Sequence, residues 1–255
     1  MVKRTGLLVS LVAALPLMAA DLAPTGTLRA TFLQDNPVQG KVDAATGAIT
    51  GPVADLVKEL ARRLNVPYTI LPAPNARAVM DNLKAQKADI GFLAYDAERA
   101  AEVDFSRSYA LMHSSYVVRA DSKIQTSADA DRAGMRVGAV KGQSQQIYLS
   151  GNLKAAKVRI FDTTPPQAEL QQLLLSGEID AFGANRQRMV EAAAVAPQLR
   201  VLPDDFLVAG QAIVVEKGDA ARIQELNRFL DDVRTSGFVK ASLERARLSG
   251  VEAAP

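Results

Sequence analysis

Leu83-Lys84-Ala85-Gln86-Lys87-Ala88-Asp89-Ile90, and again Leu174-Leu175-Ser176-Gly177-Glu178-Ile179-Asp180-Ala181, follow one plan: a leucine ends a helical stretch, a tight turn follows, and an aspartate opens an apolar run. Such a step leads from a helix into a buried strand, as in a parallel sheet covered by helices. Any short turn into a parallel sheet favours this pattern, so the likeness speaks of architecture and not of a shared activity.

Upstream of the first step, Gly26 to Phe32 reads as a strand and Gln34-Asp35-Asn36-Pro37 as a loop. Pro52 suits a first helical position, and Val53, Leu56, Val57, Leu60 and Leu64 recur on one face, which predicts a helix from Pro52 to Leu64. A strand from Pro67 to Leu71, a helix from Asn75 to Ala85 and the strand Ala88 to Leu93 complete a βαβαβ order. The second cycle runs from Met135 to Val140 through Lys141-Gly142-Gln143-Ser144 into a helix, then Val158 to Phe161, a helix from Gln167 to Leu175 and the strand Ile179 to Phe182. Tyr116 to Arg119 and Gln211 to Val215 are extended segments suited to cross between the cycles. In the tail, Ile223, Leu226, Phe229, Leu230 and Val233 share a helix face, Gly237 breaks it, and a last helix runs from Phe238 to Leu248. The expected fold is α/β and two-lobed, with two parallel-core sheets joined by a double crossover: residues 25–114 and 211–250 form one lobe, residues 115–210 the other. Ligands of open α/β sheets sit beyond the carboxyl ends of the strands, so two facing sheets define one cleft.

Composition narrows the chemistry. The 255 residues are 48% hydrophobic and 23% charged, a balance fit for packed cores. Zero cysteines exclude disulfides, thiolate metal sites and cysteine nucleophiles, and the single histidine, His113, excludes a multi-histidine metal centre. Aromatics are 5% with no tryptophan, so a stacking platform would have to be built from five Tyr and eight Phe, and 30 Lys+Arg against 28 Asp+Glu lacks the basic excess of a nucleic-acid binder. Residues 1–20 read as an export signal: Lys3 and Arg4 precede the apolar Gly6 to Met18, and Ala19 and Ala20 are small. That run is shorter than a membrane span, and its removal leaves 28 basic and 28 acidic side chains. Neither Gly-x-Ser-x-Gly nor Ser-x-x-Lys occurs after it, and no catalytic residue is assigned; His113, just before the crossover, reads as a structural or exposed histidine.

Several stretches together resemble the family 3 extracellular solute-binding proteins, periplasmic receptors of polar amino-acid ABC importers with a type II periplasmic-binding fold. They are Gly51 to Leu56, Asn82-Leu83 through Asp89, Glu98-Arg99 through Val103-Asp104-Phe105-Ser106 with Tyr109, Val117 to Arg119, Arg136 to Val140 with Gly142, Gly177 to Asp180, and Val215 to Asp219. The resemblance implies a periplasmic, monomeric binder of a small solute, working by hinge closure with an inner-membrane ABC permease and needing neither cofactor nor metal. It leaves open an accessory or sensor-receptor role, for example beside a quinoprotein dehydrogenase, and a dehydratase-like enzyme on the same scaffold.

Arg99 is similar to the family's arginine that forks around the ligand carboxylate, a task suited to a guanidinium's paired donors. The competing reading is a surface arginine paired with Asp96, Glu98 or Glu102. Gly142-Gln143-Ser144 is similar to the turn whose N–H groups and hydroxyl hold the other side of the carboxylate; plain helix capping by Ser144 competes with that role. Asn185 stands where the family usually carries an aspartate for the ligand ammonium, Ala94 replaces a polar residue, and aromatics near Pro37 and Pro74 are missing. The resemblance therefore implies a small carboxylate without a free α-ammonium, held by Arg99, Gln143, Ser144 and Asn185, with Tyr95 and Asn36 lining the first lobe. Arg186 and Arg188 are expected on a solvated helix face.

Overall fold

The computed structural model describes residues 21–34 and 36–255, so the expected export signal and Asp35 lie outside the described residues. The first half contains β1 (Leu28–Leu33), the short hairpin β2 (Lys41–Val42) and β3 (Ile49–Thr50), α1 (Pro52–Leu64), β4 (Tyr68–Ala73), α2 (Ala76–Lys84), β5 (Ile90–Ala94) and α3 (Ala97–Ala100). The long strand β6 (Val103–Arg119) leads to β7 (Arg136–Val140), α4 (Ser144–Asn152), β8 (Lys157–Phe161), α5 (Gln167–Leu175), β9 (Ala181–Asn185), α6 (Arg186–Ala194) and β10 (Leu199–Val201). The chain returns through β11 (Leu207–Glu216) to α7 (Ala220–Thr235), α8 (Phe238–Ala246) and β12 (Val251–Ala253).

Two parallel groups, β4-β1-β5 and β9-β7-β8, are joined by antiparallel β11 and β6 into one ten-stranded ladder. The sequence suggests two separate sheets. The hydrogen bonding is continuous because the 17-residue β6 pairs with β11 up to Ser114 and with β9 from Ser114 to Val117, leaving no gap at the junction. Helices cover both faces of each half. Leu28, Phe32, Val53, Leu56, Leu60 and Phe92 pack with the tail-helix residues Leu226, Phe229 and Leu230 on one side of the first half. Val79, Met80, Leu83 and Leu93 pack on the other. In the second half, Leu170, Leu174, Ile179 and Phe182 form one layer, and Tyr116, Val137, Leu149 and Leu202 the opposite one.

The paired aspartates are a repeated latch. Asp89 accepts hydrogen bonds from the backbone N–H of Arg29 at 2.9 Å and from its Nε at 3.1 Å, while its own N–H donates to the Arg29 carbonyl at 2.7 Å. Asp180 treats Arg136 the same way, with 2.8 Å to the N–H, 3.3 Å to Nε and 2.8 Å from its own N–H to the carbonyl. Each aspartate thus ties the start of one parallel strand to the start of its neighbour, satisfying an N–H that the ladder leaves unpaired.

Glycine in the second-half strand has a steric reason. A Cβ on Gly138 would lie 2.6 Å from Phe182 Cδ2 and 3.0 Å from Phe161 Cε2. Both rings sit against the sheet with centroids 5.8 Å apart, so neither moves without disturbing the layer. Gly138→Ala is expected to cost about 1–3 kcal/mol as an overpacking change, read as a lower urea midpoint with an unchanged m-value.

Candidate functional site

A cavity of about 590 Å³ opens between the halves. Its walls include Leu33, Ala94, Val140 and Asn185, which are the last residues of β1, β5, β7 and β9. The carboxyl ends of both parallel groups therefore converge on one space, as the strand order requires. Of the sequence-selected residues, Arg99, Gln143, Ser144, Asn185 and Asn36 line this cavity together.

Arg99 lies on the four-residue helix α3, which Asp96 caps by accepting from the N–H groups of Glu98 and Arg99. Its side chain is buried at 6% exposure and makes no ion pair among the described residues. One guanidinium nitrogen, Nη1, donates to the Ala94 carbonyl at 3.0 Å, and Nη2 reaches across to the Gly142 carbonyl of the other half at 2.8 Å. Glu102, which the sequence offers as a partner, is taken instead by Arg77 at 3.0 Å and Lys84 at 2.5 Å. Burial lowers the Arg99 pKa, and the nearby charges of Asp96 and Glu98 oppose that shift. It is a desolvated cation held by two neutral carbonyls, not a surface ion-pair residue.

Facing it, α4 starts at the cavity. The N-cap is Gln143, whose side chain makes no capping bond. Ser144 is therefore the first helical residue, and its hydroxyl has no hydrogen-bond partner among the described residues, which corrects the capping reading. A first helical turn leaves N–H groups without intrahelical acceptors, so Ser144 and its neighbours present donors to the cavity. Asn185 ends β9 and caps α6, its Oδ1 accepting from Arg188 N–H at 2.9 Å; it is 5% exposed. Asn36 lines the first wall, its Oδ1 accepting from Val38 N–H at 3.3 Å.

Tyr95 lies outside the cavity lining. Side chains alternate along a strand and its extension, so with Ala94 on the cavity wall its neighbour turns away. The Tyr95 ring packs edge-on to Phe105 at 5.2 Å and is 56% exposed. Arg186 and Arg188 also depart from the solvated face expected of them. Arg186 donates to Asp205 at 2.8 Å through Nε and to the carbonyls of Leu202 and Asp204 at 3.1 and 2.9 Å, clamping the approach to β11. Arg188 lines the cavity. The N-cap at Asn185 fixes the helix phase and so carries Arg188 to this wall, a signal present in the sequence once the helix start is placed. Gln145, also missed, is 3% exposed in the lining and donates to Ser114 Oγ at 2.9 Å.

His113 is not in the lining. It sits where β6 crosses between the halves, with Nδ1 2.8 Å from Asp205 and Nε2 3.5 Å from Glu252, and its N–H donates to the Gly250 carbonyl at 2.8 Å. No group of three or more His, Cys, Asp or Glu residues suited to a metal occurs among the described residues, nor does a helix long and apolar enough to cross a membrane.

Comparison with known proteins agrees with this geometry. The L-arginine-binding protein of Pseudomonas aeruginosa is 24% identical over 231 residues, covering 82% of this chain and 87% of its own. A variant of the arginine-binding protein ArgBP from T. maritima superimposes with a TM-score of 0.73 at 25% identity, covering 90% of this chain and 99% of its own. An ancestral amino-acid-binding protein described as a precursor of cyclohexadienyl dehydratase gives 0.72 at 25% identity, covering 89% and 97%. The sequence model for bacterial extracellular solute-binding proteins, family 3, matches residues 28–246, and with strand ends and helix starts converging on one interlobe cavity, the chain belongs to that family.

Proposed function

We propose that this protein is the solute-capturing component of an ABC importer, exported to the periplasm, and that it closes as a monomer around a small carboxylate-bearing solute, an amino acid or a related organic acid. The lobes are residues 25–114 with 211–250, and residues 115–210. The observation that carries the reading is the buried Arg99 guanidinium, without a carboxylate partner and bonded across the cleft to Gly142. A carboxylate offers paired acceptors for its remaining donors and for the N–H groups that open α4. Gripping one anion from both lobes favours the closed arrangement by contacts that an open one lacks. A binding role is favoured over catalysis because the one histidine is engaged by Asp205 and Glu252 away from the cavity.

The test is native mass spectrometry of protein purified without denaturant, paired with small-angle scattering before and after the solute is stripped by unfolding and refolding. A co-purifying small acid is expected, with a larger radius of gyration for the stripped form that falls when the acid is restored. A protein that carries nothing and keeps the same dimensions under both treatments overturns the reading.

A further inference from the structure

We infer that the site selects carboxylic acids whose second polar group is a hydrogen-bond acceptor, such as a 2-oxo group, over acids that carry an ammonium there. This rests on the solute-capture reading and names the class of solute. The pivotal residue is Asn185. Its neighbour on α6 is a backbone N–H, that of Arg188, which requires an acceptor, so the amide must turn its oxygen toward the helix at 2.9 Å. The Nδ2 group then has no partner among the described residues and remains on the cavity wall, in a side chain 5% exposed. With its oxygen turned to the helix, the amide presents its N–H donors to the cavity, and these suit an acceptor better than an ammonium.

Several other polar groups of the wall act in the same direction. The carbonyls of Ala94 and Gly142 are taken by Arg99, and the Asn36 oxygen by Val38 N–H. The buried Arg99 is in the lining, and the α4 start adds N–H donors. The one carboxylate among the described lining residues is Asp162, 88% exposed and 3.4 Å from Lys141 Nζ. An ammonium brought into this space meets the buried Arg99 guanidinium and N–H donors, with no buried carboxylate among the described lining residues to offset its lost hydration. A 2-oxo oxygen meets donors already in place.

Calorimetric titration of the stripped protein with matched pairs isolates that one substituent: pyruvate against L-alanine, 2-oxoisovalerate against L-valine, 2-oxoglutarate against L-glutamate, with L-arginine as a cationic control. At least one 2-oxo acid is expected to bind, at least about 10-fold more tightly than its amino acid and than L-arginine. Asn185→Asp keeps a helix-capping oxygen and adds the missing charge, so it should fold normally and narrow or reverse that preference. If an amino acid wins its pair or L-arginine wins outright, and Arg99→Met abolishes that binding, this inference falls while the carboxylate reading stands. If no probe binds, or if binding is indifferent to Arg99→Met, both fall. An unchanged preference in Asn185→Asp also overturns the role given to Asn185.

Discussion

Arg99→Met is expected to abolish solute binding while leaving the empty protein as stable as before. Removing one member of a buried, hydrogen-bonded charge pair costs about 2–5 kcal/mol, so the loss of affinity should lie between about 30-fold and a few thousand-fold. In the solute-free protein the balance differs. The guanidinium is desolvated, has no carboxylate partner, and donates only to the carbonyls of Ala94 and Gly142. Methionine gives up those bonds and also the burden of a buried charge, and the two effects oppose each other. The urea stability of the stripped variant should therefore stay within about 1 kcal/mol of the parent. Calorimetry and urea denaturation on the same preparation check both halves of this expectation. A loss of more than about 2 kcal/mol in the stripped protein would make Arg99 a residue of the fold and not of the solute.

The largest effect on stability is expected from Asp89→Ala. The Asp89 side chain is 2% exposed and accepts from the backbone N–H of Arg29 as well as from its guanidinium, with 2.5 Å to Nη2. Alanine leaves that N–H orphaned at the sheet edge of the turn and the guanidinium with the Gln86 carbonyl alone, at 2.6 Å. Breaking a buried pair of this kind costs about 3 kcal/mol. Asp180→Ala, in the second half, should cost about 1 kcal/mol, because its side chain is 27% exposed and water can replace what is removed. Urea unfolding of both variants gives the comparison. Equal losses would mean that burial does not set the worth of the latch. Asp89→Asn should recover part of the loss through the amide oxygen, although its NH₂ group faces Arg29 unfavourably.

The sequence carried most of the parallel core because that core rests on local patterns. The apolar face of α1 predicts a helix from Pro52 to Leu64, and the structure has those bounds. The aspartate steps announce β5 and β9, although both strands begin after the aspartate and not before it. What escaped were elements defined by a neighbour. The strands β10 and β12 have three residues each and exist because β6 extends far enough to offer them free backbone groups. The full reach of β6 was hidden by Asp104, Ser106, Arg107 and Ser108, which interrupt its apolar alternation where it pairs with β11 and supports α7. At the site, the family resemblance pointed to six side chains, five of which the fold brings to one cavity. The direction of Tyr95 and the engagement of Arg186 depend on strand parity and on a partner nineteen positions away, Asp205. Neither is written in the residue's immediate surroundings.

The one histidine of the chain, His113, stands on the strand that crosses between the halves, braced by Asp205 and Glu252. A sample made without a polyhistidine tag therefore yields a single set of imidazole ring resonances, all reporting from the crossing strand. Unlabelled proton spectra recorded during a solute titration would report whether the proposed closure reaches that strand, with no isotope and no attached fluorophore.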